Sequence, residues 1–205
     1  MTVDMERVQN IVSALVRGGL IEAIADEDTS FYVYDWIQEH KNLIDADFQV
    51  YNGACKGVLV FDDTDWVIKF DYYGSESYCK MEANNYADAV GAGLAHYFAE
   101  TRLVAEYESV CFVVQERCNC NESDVFDSMF DSVKRASEEM GTERTDDDIW
   151  AEVECTCEDG EGYLMFDDVV LNAFMCHHSI NDMHQGNFGR TRTDGRMVMT
   201  DYSGF

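Results

Sequence analysis

The sequence predicts an α+β fold in which a five-stranded antiparallel sheet lies between two helical regions. Apolar residues recur at helical spacing in residues 1–45. Short β-rich runs separated by turn residues occupy 46–118, and helical spacing returns in 119–205. We therefore divide the chain into an N-terminal helical extension, a sheet region and a C-terminal helical region with these bounds.

The composition indicates a folded protein with a very acidic surface. Its 205 residues carry a formal net charge of −27, yet 46% are hydrophobic and 13% aromatic, which is enough apolar material for a core. The acidity disfavours direct binding to nucleic acid or to an anionic membrane, because phosphate groups would be repelled. Two interpretations of the charge remain open, namely solubility and attraction of a basic partner protein.

The sequence lacks the features of a secreted or membrane protein, so we expect a cytoplasmic location. No run approaches the roughly 18 apolar residues of a membrane-spanning helix, and no apolar signal segment is evident. Eight cysteines in such a chain fit a reducing compartment. For the pairs Cys118/Cys120 and Cys155/Cys157, free thiols and a four-thiolate zinc site both remain open.

The N-terminal extension is expected to pack against the sheet without carrying chemistry, with partner binding as the alternative. Residues 3–17 carry a helical stripe, and Gly18 and Gly19 end it. A second helix is predicted within residues 30–43. The stripe consists of Val8, Ile11, Val12 and Leu15.

The central region is predicted to form the sheet, with one long helix inserted between the third and fourth strands. The helix is predicted over residues 78–100, although Gly91 and Gly93 would bend or shorten it. The strands are predicted at 48–51, 57–61, 65–70, 103–107 and 111–115.

The C-terminal region is predicted to be helical until a hairpin close to its end. Helices are predicted over 122–140, 145–155 and 163–178. An Asp-Gly pair at 194–195 favours a hairpin that pairs 188–191 with 197–200 and returns Asp201 to the neighbourhood of Asn187. Carboxylate and amide oxygens suit Mg²⁺, and Asp182 adds a free carboxylate. These three side chains therefore predict a site for phosphoryl transfer.

The segments DMHQGN and TDYSGF resemble the catalytic loop and metal-binding segment of the protein kinase superfamily. The likeness is closest to the DxHxxN form of aminoglycoside-type phosphotransferases and of the compact serine/threonine kinases of T7-like bacteriophages. The resemblance implies that Asp182 is the catalytic base and that Asn187 and Asp201 bind magnesium. The sequence departs from the eukaryotic pattern at Ile180 and Asn181, which stand in place of His-Arg.

Upstream motifs extend the resemblance to residues 48–204. The run ending in Lys69, Val-Ile-Lys, resembles the V-A-I-K element, which implies that Lys69 contacts nucleotide phosphates. A Glu on the following helix would hold this lysine. Glu82 is the first choice, and Glu76 and Asp88 remain alternatives.

Two further features extend the resemblance. Gly53 and Gly57 flank a turn that resembles the glycine-rich loop over the phosphates, and Glu116 lies in a segment that resembles the adenine-binding hinge. The hairpin also carries three arginines. These arginines either stabilise the negative charge of the phosphates or bind an acidic loop of the substrate, or they are ordinary exposed charges. These are Arg190, Arg192 and Arg196.

The resemblance implies an ATP- and Mg²⁺-dependent serine/threonine protein kinase of phage type that modifies host proteins in the host cytoplasm. The expected fold is protein kinase-like, with a five-stranded small lobe and a helical large lobe truncated after Gly204. One alternative is an acidic kinase-fold binding protein, a pseudokinase or DNA mimic, that occludes a basic host enzyme. A small-molecule phosphotransferase is the third hypothesis.

Overall fold

The structure is a computed structural model, and it has the predicted α+β architecture. The predicted helices over 122–140 and 145–155 lie largely outside the residues that it describes, and Asp182, Glu76 and Gly204 lie outside them entirely. It describes residues 2–26, 30–53, 55–71, 77–108, 110–120, 134–135, 137–142, 144–149, 169–180 and 185–203.

The central sheet has five antiparallel strands in the order β1-β2-β3-β5-β4. Each strand lies within two residues of its predicted bounds, because β-branched and aromatic runs bounded by turn residues identify strands well. The strands are β1 (Phe48–Asn52), β2 (Lys56–Phe61), β3 (Trp66–Asp71), β4 (Thr101–Tyr107) and β5 (Val110–Glu116).

The helix inserted between β3 and β4 is shorter than predicted. It is α4 (Tyr78–Gly91), whereas the sequence pattern predicted a helix that continues to residue 100. Ala92 caps the helix, and Gly93 follows with φ of +77°, a left-handed conformation that glycine adopts without strain. A separate 3₁₀ turn, Ala95–Tyr97, then leads into β4.

Three helices cover the face of the sheet that points away from the cavity described below. They are α1 (Met5–Arg17), α2 (Leu20–Asp26) and α3 (Ser30–Glu39), of which α2 was not predicted. The predicted α1 stripe is buried in one core with alternate residues of β2 and β3 such as Leu59 and Ile68. The helical extension therefore packs against the sheet, as expected.

A second sheet forms from β6 (Cys118–Asn119), β7 (Phe188–Thr191) and β8 (Met197–Met199). The predicted hairpin is present, with Phe188 opposite Met199 and Gly195 in the turn at φ of +72°. The pairing of β6 with β7 was not predicted. Between β6 and β7 in the chain lies α5 (Val169–His177), the described part of the helix predicted over 163–178.

A second core joins α4, α5 and the hairpin. Tyr202, Phe98 and Met175 are among its fully buried members. Within the described residues, no helix has both the length and the apolar character needed to cross a membrane.

The Asp71 carboxylate fixes the start of α4 against the sheet. It is completely buried, accepts hydrogen bonds from the backbone N–H groups of Cys79 (2.9 Å) and Cys111 (3.1 Å), and accepts one from the Ser77 hydroxyl (2.6 Å). Ser77 in turn caps α4 by accepting from the Lys80 N–H. This anchor sets the position of Glu82, which lies one turn further along the helix.

Replacing Asp71 with alanine is expected to lower the free energy of unfolding by about 2–3 kcal/mol, because it leaves buried N–H donors without an acceptor. Urea denaturation followed by circular dichroism measures the change. The matched control is Asp62→Ala, whose side chain is 73% exposed. Equal stability of the Asp71 and Asp62 variants would show that the anchor contributes nothing.

Candidate active site

A cavity of about 610 Å³ opens between the central sheet and the β7-β8 hairpin. Val58, Val60 and Val67 form an apolar wall near one end. Lys69 and Asp201 contribute opposite charges to its lining. An apolar wall beside a few convergent polar groups is typical of a small-molecule site.

Strand alternation explains why these side chains share one face. Val58 pairs with Lys69, and Val60 pairs with Val67, across the antiparallel β2-β3 ladder. Directly paired residues lie on the same face of a sheet, and alternate residues along each strand return to that face. The intervening residue Leu59 points into the opposite core.

The predicted ion pair between Lys69 and Glu82 is present. The Lys69 Nζ lies 3.2 Å from Glu82 Oε2 and donates to the backbone oxygen of Thr200 at 2.6 Å. The Glu82 side chain is 0% exposed, so its carboxylate depends on protein partners rather than water. The alternative Asp88 is 65% exposed and lies 3.9 Å from His178.

Asn187 and Asp201 both line the cavity, in agreement with the hairpin predicted from the sequence. The Thr200 N–H donates to the Asn187 carbonyl at 2.7 Å, which holds the two ends of the hairpin together. Asn187 is buried, while the Asp201 side chain is 35% exposed. One amide and one carboxylate beside a cavity form a hard-oxygen donor set that fits Mg²⁺.

Lys56 is a site residue that the sequence analysis did not select. Its Nζ donates to Glu82 Oε1 and to Asp201 Oδ1, each at 2.6 Å, and its side chain is only 9% exposed. A signal was present, because Lys56 lies two residues before Val58 and therefore on the same face of β2. Because Gly53 and Gly57 lie on either side of Lys56, the sequence pattern indicated a role for the backbone of the turn rather than for the lysine side chain.

The charged forms of Lys56 and Asp201 are stabilised by their neighbours, whereas burial raises the pKa of Glu82 above its ordinary value. Burial alone would lower the pKa of Lys56, but the Glu82 and Asp201 carboxylates raise it above its ordinary value. Burial alone would raise the pKa of Asp201, but Lys69 and Lys56 hold it well below its ordinary value. Both Lys56 and Asp201 are consequently charged at neutral pH.

The predicted loop glycines shape the turn rather than the wall of the cavity. The Gly53 N–H donates to the Lys56 carbonyl at 2.8 Å and closes the β1-β2 connection. Gly57 pairs with Asn52. Neither glycine is among the described residues that line the cavity, whereas Lys56 between them reaches the charged cluster.

Glu116 borders the cavity, but its groups are engaged elsewhere. Its N–H donates to the Glu100 carbonyl at 2.8 Å. Its carboxylate accepts from Arg196 at 3.1 Å and from the Thr193 hydroxyl at 2.8 Å. The side chain of this predicted hinge residue therefore ties β5 to the hairpin.

The hairpin arginines contact neighbouring backbone and carboxylate groups. Arg196 donates to the His96 carbonyl at 2.9 Å in addition to Glu116, and Arg192 donates to the Thr64 carbonyl at 3.2 Å. Arg190 donates to Gly195 within the turn at 2.9 Å. The contacts of Arg196 and Arg192 hold the hairpin against the neighbouring segments, whereas that of Arg190 stabilises the turn itself.

Tyr202 fixes the segment that follows Asp201. Its hydroxyl donates to the Ala99 carbonyl at 2.6 Å and lies 2.6 Å from the Thr101 hydroxyl. The Asn85 side chain on α4 donates to the Tyr202 carbonyl at 2.8 Å. The position of Asp201 is thus set from both the strand β4 and the helix α4.

Two cysteines on one side of the cavity differ in environment. Burial raises the pKa of the Cys118 thiol to about 12, whereas Cys120 is exposed and its sulfur lies 3.9 Å from the Thr200 hydroxyl. No cluster of three or more His, Cys, Asp or Glu ligands occurs within the described ranges. Cys155 and Cys157 lie outside those ranges.

Comparison with known proteins gives no match to a family model, to a curated protein or to a solved structure. The functional argument therefore rests on the geometry of this cavity and on the residues that surround it.

Iodoacetamide at pH 8 is expected to alkylate Cys120 rapidly and to leave Cys118 unmodified, because the thiolate is the reactive form and burial keeps Cys118 protonated. Peptide mass spectrometry measures the two rates separately. Exposed Cys176 on α5 serves as the reference for a thiol away from the cavity. Comparable rates for Cys118 and Cys120 would contradict the environments described above.

Proposed function

We propose that this protein is an ATP- and magnesium-dependent serine/threonine protein kinase of the compact phage type, acting on host proteins. One observation carries the proposal. The ion pair between Lys69 on β3 and Glu82 on α4 lies at the cavity that also holds Asn187 and Asp201. Residues separated by more than 100 positions meet in the arrangement that the sequence motifs require, which supports a protein kinase-like fold.

The residues divide the work of nucleotide binding. The apolar wall of Val58, Val60 and Val67 would contact the adenine ring. Lys69 would donate to phosphate oxygens while Glu82 restrains its position, since a long lysine side chain loses rotamer freedom when it is held.

The hairpin residues supply the remaining groups. Asn187 and Asp201 would hold the metal ion through their side-chain oxygens. Bound Mg-ATP supplies the phosphoryl group together with an ion that neutralises charge on it. Asp182, outside the described residues, would orient a serine or threonine hydroxyl and accept its proton.

A second candidate is an acidic binding protein on the same fold, which inhibits a basic host enzyme by occupancy. The observation that favours it is the Lys56 ammonium, which already occupies an oxygen of the metal-binding Asp201. The net charge of −27 adds attraction for a basic surface. Catalysis would not be needed for such an effect.

Incubation with γ-labelled ATP, Mg²⁺ and a bacterial lysate is expected to label protein substrates. Asp182→Ala, Lys69→Met and Asp201→Asn should each reduce labelling by about 100-fold or more, because each removes a group that acts on the hydroxyl, the phosphates or the metal ion. Lys80→Met is the matched control, since Lys80 lies on α4 in an ion pair whose partners are each 44% exposed.

Full labelling by Asp182→Ala would reject its assignment as the base. If no variant and no native protein transfers label, and Mg-ATP produces no thermal shift, the binding-protein candidate replaces the kinase. In that case alanine at Asp182 or Asp201 leaves the biological effect intact, while reversal of surface charges abolishes it.

Mg-ATP is also expected to slow alkylation of Cys120 by at least about fivefold, because the thiol borders the proposed nucleotide cavity. The rate at Cys176 should not change. Equal alkylation of Cys120 with and without saturating Mg-ATP would place the nucleotide elsewhere.

A further inference from the structure

Lys56 joins two acidic groups that have different tasks in the proposed kinase. Glu82 restrains Lys69, whereas Asp201 would bind the metal. The single Lys56 ammonium donates to both carboxylates at 2.6 Å and approaches the Ser203 hydroxyl at 3.4 Å. Neither task requires this second lysine, so its presence needs a separate explanation.

The formal charges of the cluster cancel without any ligand. Lys56 and Lys69 supply two positive charges, and Glu82 and Asp201 supply two negative charges. A divalent cation that bound Asp201 alone would meet the Lys56 ammonium at close range, and this ammonium is poorly screened by water because the Lys56 side chain is only 9% exposed. A nucleotide polyphosphate brings the negative charge that offsets this repulsion.

We infer that Lys56 is an internal counter-ion of the metal site, which holds Asp201 in the nucleotide-free protein and transfers to phosphate oxygens when Mg-nucleotide binds. The inference rests on the proposed function. Lysine suits this exchange because its ammonium has three donors on a flexible stem. Lys56 keeps its bond to the fully buried Glu82 and gives up only the bond to the more exposed Asp201.

The exchange makes metal and nucleotide binding interdependent. Without nucleotide, a metal ion has to displace Lys56 from Asp201, so its affinity is low. With nucleotide present, the phosphates accept the displaced ammonium, and the affinity for metal rises. The metal ion and the nucleotide each favour the state in which Lys56 has left Asp201. They must therefore bind cooperatively, and the coupling is reciprocal.

The test measures binding rather than catalysis. Mn²⁺ is titrated into the protein without nucleotide and followed by electron paramagnetic resonance, and a non-hydrolysable ATP analogue is titrated with Mg²⁺ by calorimetry. Lys56→Met and Lys56→Gln should bind Mn²⁺ alone about tenfold more tightly and the Mg-analogue about tenfold more weakly than the native protein. Lys56→Arg retains the charge and should restore the native pattern.

The controls separate the possible failures. Lys80→Met should behave as native protein, and circular dichroism checks that each variant is folded. If Lys56→Met unfolds, the binding measurements are made on Lys56→Gln, because its side-chain amide can still donate a hydrogen bond to Glu82. Native binding of Mn²⁺ by both charge-removing variants, with intact analogue binding, would overturn the inference and leave the kinase proposal standing. Absence of analogue binding by the native protein would overturn both.

Discussion

The buried Glu82 carboxylate, held by the ammonium groups of Lys56 and Lys69, connects the parts of the protein on which the site depends. Glu82 belongs to α4, and the two lysines belong to β2 and β3. A carboxylate at 0% exposure would be very costly without these partners, so the helix can dock only where both lysines reach it. Asp71 adds the complementary restraint at the start of the same helix.

The charged cluster also determines where the hairpin lies. Lys69 donates to the Thr200 carbonyl, and Lys56 donates to the adjacent Asp201. Asn85 lies one turn beyond Glu82 on α4. Its side chain donates to the carbonyl of Tyr202, the residue after Asp201. Three successive residues of the C-terminal segment are therefore positioned by α4 and the strands beside it, and the Asp201 carboxylate acquires its position from the same cluster.

Local patterns in the sequence predicted the elements that local interactions determine. The five strands, the hairpin turn at Gly195 and the α1 stripe all follow from periodicity and turn chemistry. Glu82 was the first choice as the partner of Lys69, and the structure pairs the two, but the sequence left Glu76 and Asp88 open because it does not fix the register of the helix. The length of α4 was overestimated, since two glycines interrupt an otherwise continuous helical pattern.

Other features depend on contacts between distant residues, and no local pattern identifies the partners. The ion pair of Arg196 with Glu116 joins positions 80 apart, and that of Lys56 with Asp201 joins positions 145 apart. The pairing of β6 with β7 is of the same kind. Alternation along β2 would have placed Lys56 on the correct face, but its two carboxylate partners became evident only once the strands and the hairpin were assembled.

The contact between Arg196 and Glu116 has a mechanical consequence for the cavity. Glu116 ends β5, and Arg196 immediately precedes β8. The Glu116 carboxylate in this ion pair is buried, with 3% of its side chain exposed. Together with the bond from Lys69 to Thr200, it braces the sheet and the hairpin at two separate points. Two such braces limit relative movement of the sheet and the hairpin, so we expect the walls of the cavity to shift little when a ligand binds.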